Sequence, residues 1–206
     1  MDAAATLVGL DYAAVAVFGA TGALAAARRK HDIVTFGFFA CVTGVGGGTL
    51  RDLLIGAPVF WVARPGYLVA CLGAALAIWV LGSGQGRQRV LLWLDAVGLA
   101  AYCVVGAAKA GAMGAPPLSA MVMGVLTACF GGVIRDVLAH EPSVLLRREI
   151  YVTCAVLGAS LFLLLQVAGL PPLPAGIAGA AAAFALRAGA ILWNWSLPPF
   201  RRGVED

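Results

Sequence analysis

Residues 43–52 read TGVGGGTLRD, and residues 127–136 read TACFGGVIRD. The two stretches lie 84 positions apart and form the centre of a longer self-overlay that needs no gap. At that offset Asp11 meets Asp95, Gly22-Ala23 meets Gly106-Ala107, and Thr43 meets Thr127. Gly47-Gly48 then meets Gly131-Gly132, and Arg51-Asp52 meets Arg135-Asp136. Leu54, Pro58, Arg64 and Tyr67 meet Leu138, Pro142, Arg148 and Tyr151. Apolar residues coincide often by chance in such a chain. Arg, Asp, Pro and Tyr are scarce in it, so their coincidence is what identifies a duplication.

The surroundings of the two stretches are apolar. Of 206 residues, 62% are hydrophobic and only 12% are charged, about half the share of charge in an average soluble domain. Mean hydropathy is +0.95. The natural unit of such a chain is the bilayer span of about 20 apolar residues. Seven runs fit it: 7–27, 33–54, 66–81, 91–110, 118–138, 150–168 and 175–195. Gly169 to Pro174 reads as a stiff turn, and Pro198-Pro199 as the end of the last run.

The repeat groups the runs into a first three-span unit over 7–84 and a second over 91–168. A seventh span over 175–195 and a tail over 196–206 lie outside it. An odd number of spans per unit forces the second copy to insert upside down. The expected fold is therefore an all-α integral membrane protein of seven transmembrane helices, two inverted three-helix repeats plus a seventh helix. Inverted repeats of this kind place functional sites near mid-membrane.

Basic residues set the orientation. With the N-terminus outside, the cytoplasmic side receives Arg28, Arg29, Lys30, Arg87, Arg89, Arg147, Arg148, Arg201 and Arg202, and the outer side only Arg64 and Lys109. The positive-inside rule selects N-out, C-in, in a cell (inner) membrane. The net charge of +4 is distributed in these short clusters, which argues for topology and against nucleic acid. The first ten residues carry only Asp2 as a charge, so no secretory n-region precedes the first run, which is expected to remain as a span. Cys41, Cys71, Cys103, Cys129 and Cys154 all fall inside apolar runs with no CxxC pair, and read as small packing residues. His31 and His140 stand alone in loops, with no ligand cluster for a metal. No nucleophile elbow, phosphate loop or HExxH is present, which argues against an enzyme.

The polar residues inside the runs carry any function. Gly46, Gly47 and Gly48 in the second span, with Gly131 and Gly132 in the fifth, read two ways. They break the helices and line a polar cavity, or they let backbones approach closely. Their recurrence in both copies favours the break. Arg51-Asp52 and Arg135-Asp136 either snorkel and pair locally, or stand at the two mouths of a path on opposite membrane sides. Asp11 and Asp95 line the same path or mark interfacial ends. Lys109 has no carboxylate beside it in sequence, and either snorkels or senses voltage.

The two Gly-Gly-x-x-Arg-Asp motifs at this spacing resemble those of the prokaryotic trimeric intracellular cation (TRIC) channels, a family also described as a glycine transporter domain. The likeness spans about 11–195, and departs at Phe130, which stands where the first copy has Gly46. The resemblance implies a homotrimer with one pore per subunit, running between the inverted units beside kinked second and fifth helices, and conducting potassium and sodium. On that reading Thr43, Thr49 and Thr127 offer hydroxyl oxygens to the ion. Asp52 and Asp136, with Asp11 and Asp95, tune cation preference, and Arg51, Arg135 and Lys109 brace the bends or gate. No cofactor is implied beyond the permeating K+ or Na+, and the expected companions are membrane lipids, with bound lipid among them. The alternative is a facilitator of a small zwitterion such as glycine, which broken helices would also serve.

Overall fold

A computed structural model describes residues 3–82, 86–146 and 149–198. Its helices are α1 (Ala3–Arg28), α2 (Ile33–Leu54), the single turn α3 (Phe60–Ala63), α4 (Gly66–Leu81), α5 (Arg87–Ala112), α6 (Pro117–Leu138), α7 (Val152–Val167) and α8 (Pro172–Trp193). A 3-10 turn, Val144–Leu146, stands in the second unit where α3 stands in the first. The seven long helices are the seven spans. Among the described residues the only other pairing is an isolated antiparallel bridge between Glu149 and Ser196. Arg147, Arg148, Arg201 and Arg202, which enter the orientation reading, and Pro199 lie outside the described residues.

The duplication is exact to the residue in its first two helices. Ala3–Arg28 and Ile33–Leu54 become Arg87–Ala112 and Pro117–Leu138 at the same offset of 84 read from the sequence, while α7 starts two residues later than that offset places it. Helix ends follow local chemistry. Asp32 caps α2, its Oδ1 accepting the Thr35 N–H at 2.8 Å, and hydrogen bonds from Thr35 hold its carboxyl below the usual 3.8. α8 corrects the expected turn: Pro171 is its N-cap and Pro172 its first residue, because the proline's missing N–H is one that a first turn leaves unpaired anyway. It ends at Trp193 rather than at the prolines, with Asn194 in the left-handed conformation at φ 53°.

The glycine stretches also require correction. α2 and α6 run as unbroken helices straight through Gly46-Gly47-Gly48 and Gly131-Gly132. The glycines serve contact instead. A Cβ on Gly47 would come within 2.3 Å of the Thr127 carbonyl oxygen, and one on Gly131 within 2.5 Å of the Thr43 carbonyl oxygen. The contact is reciprocal: as α2 advances from 43 to 47, α6 retreats from 131 to 127. The two helices therefore cross antiparallel, and their C-terminal ends, with Arg51-Asp52 and Arg135-Asp136, lie at opposite ends of the bundle. Gly46 faces Ile134, whose Cδ1 lies 2.7 Å from a Cβ built there. Without Cβ atoms the backbones lose no side-chain entropy and gain dispersion contacts, the usual cement between helices in lipid.

The same device recurs within each unit. Gly22 of α1 sits over the Phe39 carbonyl of α2, and Gly124 of α6 sits over the Cys103 carbonyl of α5. Gly158 of α7 and Gly179 of α8 face each other's carbonyls, seating the seventh helix on the second unit. Val69, Leu72, Leu76, Trp79 and Val80 of α4 and Ile177 and Leu192 of α8 are exposed, as lipid-facing side chains should be.

Substituting Gly47 or Gly131 by alanine is expected to lower stability by about 1–3 kcal/mol, the cost of overpacking against a backbone that cannot rotate away. Gly73 in α4 has nothing within 4 Å of its would-be Cβ, so Gly73→Ala should leave the melting temperature unchanged or raise it. Thermal unfolding in detergent checks the contrast, and equal losses at all three positions would contradict the packing role.

Candidate functional site: two charged clusters at opposite ends of the bundle

At the end of the bundle formed by the C-termini of α2 and α5, Arg51 and Asp52 are buried and bonded to each other. Arg51 Nε donates to Asp52 Oδ1 at 2.8 Å, and its NH2 group lies 2.8 Å from the same oxygen. The pair is bonded locally, as one of the two sequence readings has it, but both residues are buried rather than reaching outward. Asp52 Oδ2 accepts the backbone N–H of Phe60 at 3.0 Å, tying down α3. Lys109 is likewise not unpaired, as the sequence suggested, for its Nζ sits 2.7 and 2.8 Å from the two Asp52 oxygens. The two cations on this carboxylate also lie near the Phe60 ring, Lys109 Nζ at 5.8 Å and Arg51 Cζ at 5.9 Å from its centroid. A full pair of hydrogen-bonded cations is what makes a charge tolerable in a low-dielectric interior.

Asp11 stands beside this cluster. Tyr67 Oη donates to Asp11 Oδ2 at 2.7 Å, and the Tyr67 ring is stacked by Tyr12 at 3.9 Å and met edge-on by Phe60 at 4.7 Å. Asp11, Pro58, Phe60, Arg64, Tyr67 and Lys109 line an open cavity of about 500 Å³. The Lys109 side chain is 32% exposed there.

The opposite end holds the symmetry mates in a different arrangement. Arg135 Nε donates to Asp136 Oδ1 at 2.9 Å, and Asp136 Oδ2 accepts the Val144 N–H at 3.0 Å, repeating the Arg51, Asp52 and Phe60 pattern. Arg135 NH1 then goes further than Arg51 does. It donates to Asp95 Oδ1 at 2.7 Å and to Thr21 Oγ1 of α1 at 3.1 Å. Arg135, Asp95 and Thr21 are all fully buried. Tyr151, the mate of Tyr67, has no hydrogen-bond partner for its Oη, and neither has Asp95 Oδ2. Lys109 has no counterpart here, because position 25 is alanine.

The expected threonines divide. Thr49 Oγ1 donates to the Val45 carbonyl at 2.7 Å and accepts the Trp61 indole N–H at 2.9 Å. Thr127 Oγ1 donates to the Met123 carbonyl at 2.6 Å. Both protons are taken by their own helices. Thr43 Oγ1, beside the crossing of α2 and α6, is buried without a partner. Gly48 makes room for the Phe60 ring, and Gly132 for Tyr151 Oη, Asp95 Oδ1 and Arg135 NH2, all within 3.5 Å of a Cβ built there.

Reading the sequence missed Arg187 of α8. It is fully buried, its NH2 group lies 2.9 Å from Glu149 Oε2, its NH1 donates to the Ile150 carbonyl at 3.1 Å, and its guanidinium lies 5.0 Å from the centre of the Tyr151 ring. Its signal was present, since it is the only charged residue in the run 175–195. An ionisable residue inside a span points to function by default. Arg28 and Glu141, an ion pair between α1 and the loop after α6, were also missed, as two loop charges 113 positions apart.

An inverted pair of three-helix units carrying buried charges at both ends defines a polytopic membrane protein of the transport kind, not an enzyme. The family model described as "Glycine transporter" matches the chain twice, over residues 8–83 and 92–167, and the chain belongs to that family. A UPF0126 membrane protein of Vibrio cholerae is 38% identical over 197 residues, covering 93% of this chain and 81% of its own. The UPF0126 inner membrane protein YadS of Escherichia coli K12 is 38% identical over 195 residues, covering 93% and 94%. Among solved structures, the TRIC trimeric intracellular cation channel orthologue from Rhodobacter sphaeroides superposes with a TM-score of 0.90 at 49% identity, over 92% of this chain and 99% of that one. A second TRIC cation channel superposes with a TM-score of 0.82 at 29% identity, over 95% and 97%.

Truncating Arg135 to alanine would leave Asp95 and Asp136 buried without their cation, an expected loss of about 3–5 kcal/mol. Lys109→Ala should cost about 1 kcal/mol or less, because Asp52 keeps Arg51 and the lysine is partly solvated. The surviving monodisperse fraction after heating, read by size-exclusion chromatography, ranks the two. A greater loss for Lys109→Ala would contradict the assignment.

Proposed function

We propose that the chain is a monovalent-cation channel for potassium and sodium, one pore per subunit of a homotrimer, with the path running between the inverted units. The observation that carries this reading is the pair of buried Arg-Asp clusters at opposite ends of α2 and α6, in a frame that is near full-length similar to the Rhodobacter sphaeroides channel. Asp11 lines the open cavity at one mouth, and Asp52 there and Asp95 and Asp136 at the other are buried carboxylates that would favour a cation over an anion in the path. Arginines bonded to them hold those carboxylates in place, and Arg51, Arg135 and Lys109 are the candidates for gating. Thr43, whose hydroxyl is uncommitted, is the threonine left to meet an ion near the midpoint. Membrane lipids surround the apolar belt.

The zwitterion alternative drew its support from broken helices, whose half-helix N-termini would bind a carboxylate. With α2 and α6 continuous, that support is gone. The location of the Escherichia coli relative supports an inner membrane, and the distribution of basic residues in the sequence supports N-out, C-in. It places the open Asp11 cavity on the outer side and the Arg135 cluster on the cytoplasmic side.

Purified protein in a planar bilayer is expected to give unitary currents that reverse near the potassium equilibrium potential under a potassium gradient. Saturable glycine uptake without unitary current would sink the channel. A fluorescent protein fused to the C-terminus should fold and fluoresce in the cytoplasm, and a dark fusion would reverse the orientation.

A further inference from the structure

The helix outside the repeat, α8, leaves a groove of about 480 Å³ where it lies on α5. One wall is a stripe of α5 from Val97 to Ala108, and the other a stripe of α8 from Leu173 to Phe184. Small residues give it depth: Ala100, Ala101 and Ala108 on one wall, Gly176, Ala180 and Ala181 on the other. Buried Val104 and Phe162 form the floor. Every side chain that lines it is apolar.

Its dimensions select an occupant. Each stripe rises about 17 Å, close to the roughly 15 Å of one leaflet, half of a hydrocarbon core of about 30 Å. One end is closed, because the Phe184 ring stands there, backed by Trp93 at 6.1 Å between ring centres. A neighbouring helix that crosses the bilayer needs a trough open at both ends. A chain that stops near mid-membrane fits one with a wall.

The other end meets charge. Val105 lines both the groove and the open cavity of Asp11, Arg64 and Lys109. Lys109 stands one turn beyond Val105 on the same face of α5, with its side chain 32% exposed. Asp52 engages it with both oxygens, which leaves one of the three ammonium protons for another acceptor. Arg64 is exposed beside it. With Arg51, three cations stand around this cavity against the two carboxylates of Asp11 and Asp52. The mouth of the groove therefore carries an excess of positive charge.

We propose that groove and cavity together bind one phospholipid per subunit, with an acyl chain between α5 and α8 and the phosphate on Lys109 and Arg64. An acyl chain gains little over bulk lipid from an apolar groove except close packing. The charge-assisted bonds to the phosphate are what hold this lipid in place. The N-out orientation puts it in the outer leaflet. The site does not depend on conduction.

Purified protein in detergent, titrated with dipalmitoylphosphatidylglycerol and read by native mass spectrometry, should take up one lipid per subunit before any other. Ala180→Phe and Ala101→Phe each push a ring into the groove, from opposite walls. Both should lose that lipid and keep the wild-type assembly. Arg64→Ala should weaken it about tenfold, the weight of one hydrogen bond to a charged group. The same change should leave the binding of dipalmitoylglycerol, which has no phosphate, unaltered. A wild type with no preferred first lipid overturns the site, and so does a first lipid that survives both phenylalanines. If both phenylalanines break up the assembly, a second copy of the chain covers the groove and the lipid reading falls. Arg64 lies at the surface, so its variant assembles in either case, and an unchanged affinity there rejects the phosphate contact.

Discussion

The structure depends on one contact, in which two backbones touch across the centre of the bundle. Gly47 lies on the Thr127 carbonyl and Gly131 on the Thr43 carbonyl, and no side chain stands between them. Hydrophobic burial cannot hold two helices together in a medium as apolar as they are, so close packing must. The contact fixes the direction of crossing, and the direction fixes everything polar. Because α2 and α6 pass antiparallel, their Arg-Asp ends separate to opposite ends of the bundle. Each then meets the C-terminal end of the other unit's first helix: α5 brings Lys109 to Asp52, and α1 brings Thr21 to Arg135.

The charged clusters show why a bundle of this hydrophobicity can hold so many ions. Arg51, Asp52, Asp95, Arg135, Asp136 and Arg187 are all buried. Each carboxylate among them accepts from a guanidinium, and Asp52 and Asp136 also from a backbone N–H of the loop that follows their helix. These pairs are not chiefly a source of stability, since desolvation offsets much of their attraction. What they visibly do is tie the loops after α2 and α6 back onto those helices, through Phe60 and Val144.

The sequence made the architecture legible because duplication could be read from scarce residues. Asp, Arg, Pro and Tyr recurring at one offset carried the unit boundaries, and the odd span count carried the inversion. The glycines were misjudged because their composition is silent on whether freed space is filled by a cavity or by a neighbouring backbone. Only the partner helix decides, and it lies 84 positions away. The clusters were half legible for a similar reason. Arg51-Asp52 and Arg135-Asp136 stood out as adjacent charges, whereas Lys109 with Asp52, Arg135 with Asp95, and Arg187 with Tyr151 join residues 36 to 57 positions apart. Pro172 misled because proline reads as a breaker until its place in the first turn is known.

The third helix of each unit is short. α4 and α7 have 16 residues each, which at 1.5 Å per residue is about 24 Å, against a hydrocarbon core of about 30 Å. The units being inverted, the two short helices approach the membrane from opposite faces. The lipid annulus must thin locally beside both of them, or the loops at their ends must be drawn into the headgroup region. Tyr67 stands at the start of one short helix and Tyr151 at the start of the other, so the shortfall in length is met beside equivalent tyrosines at opposite ends of the bundle.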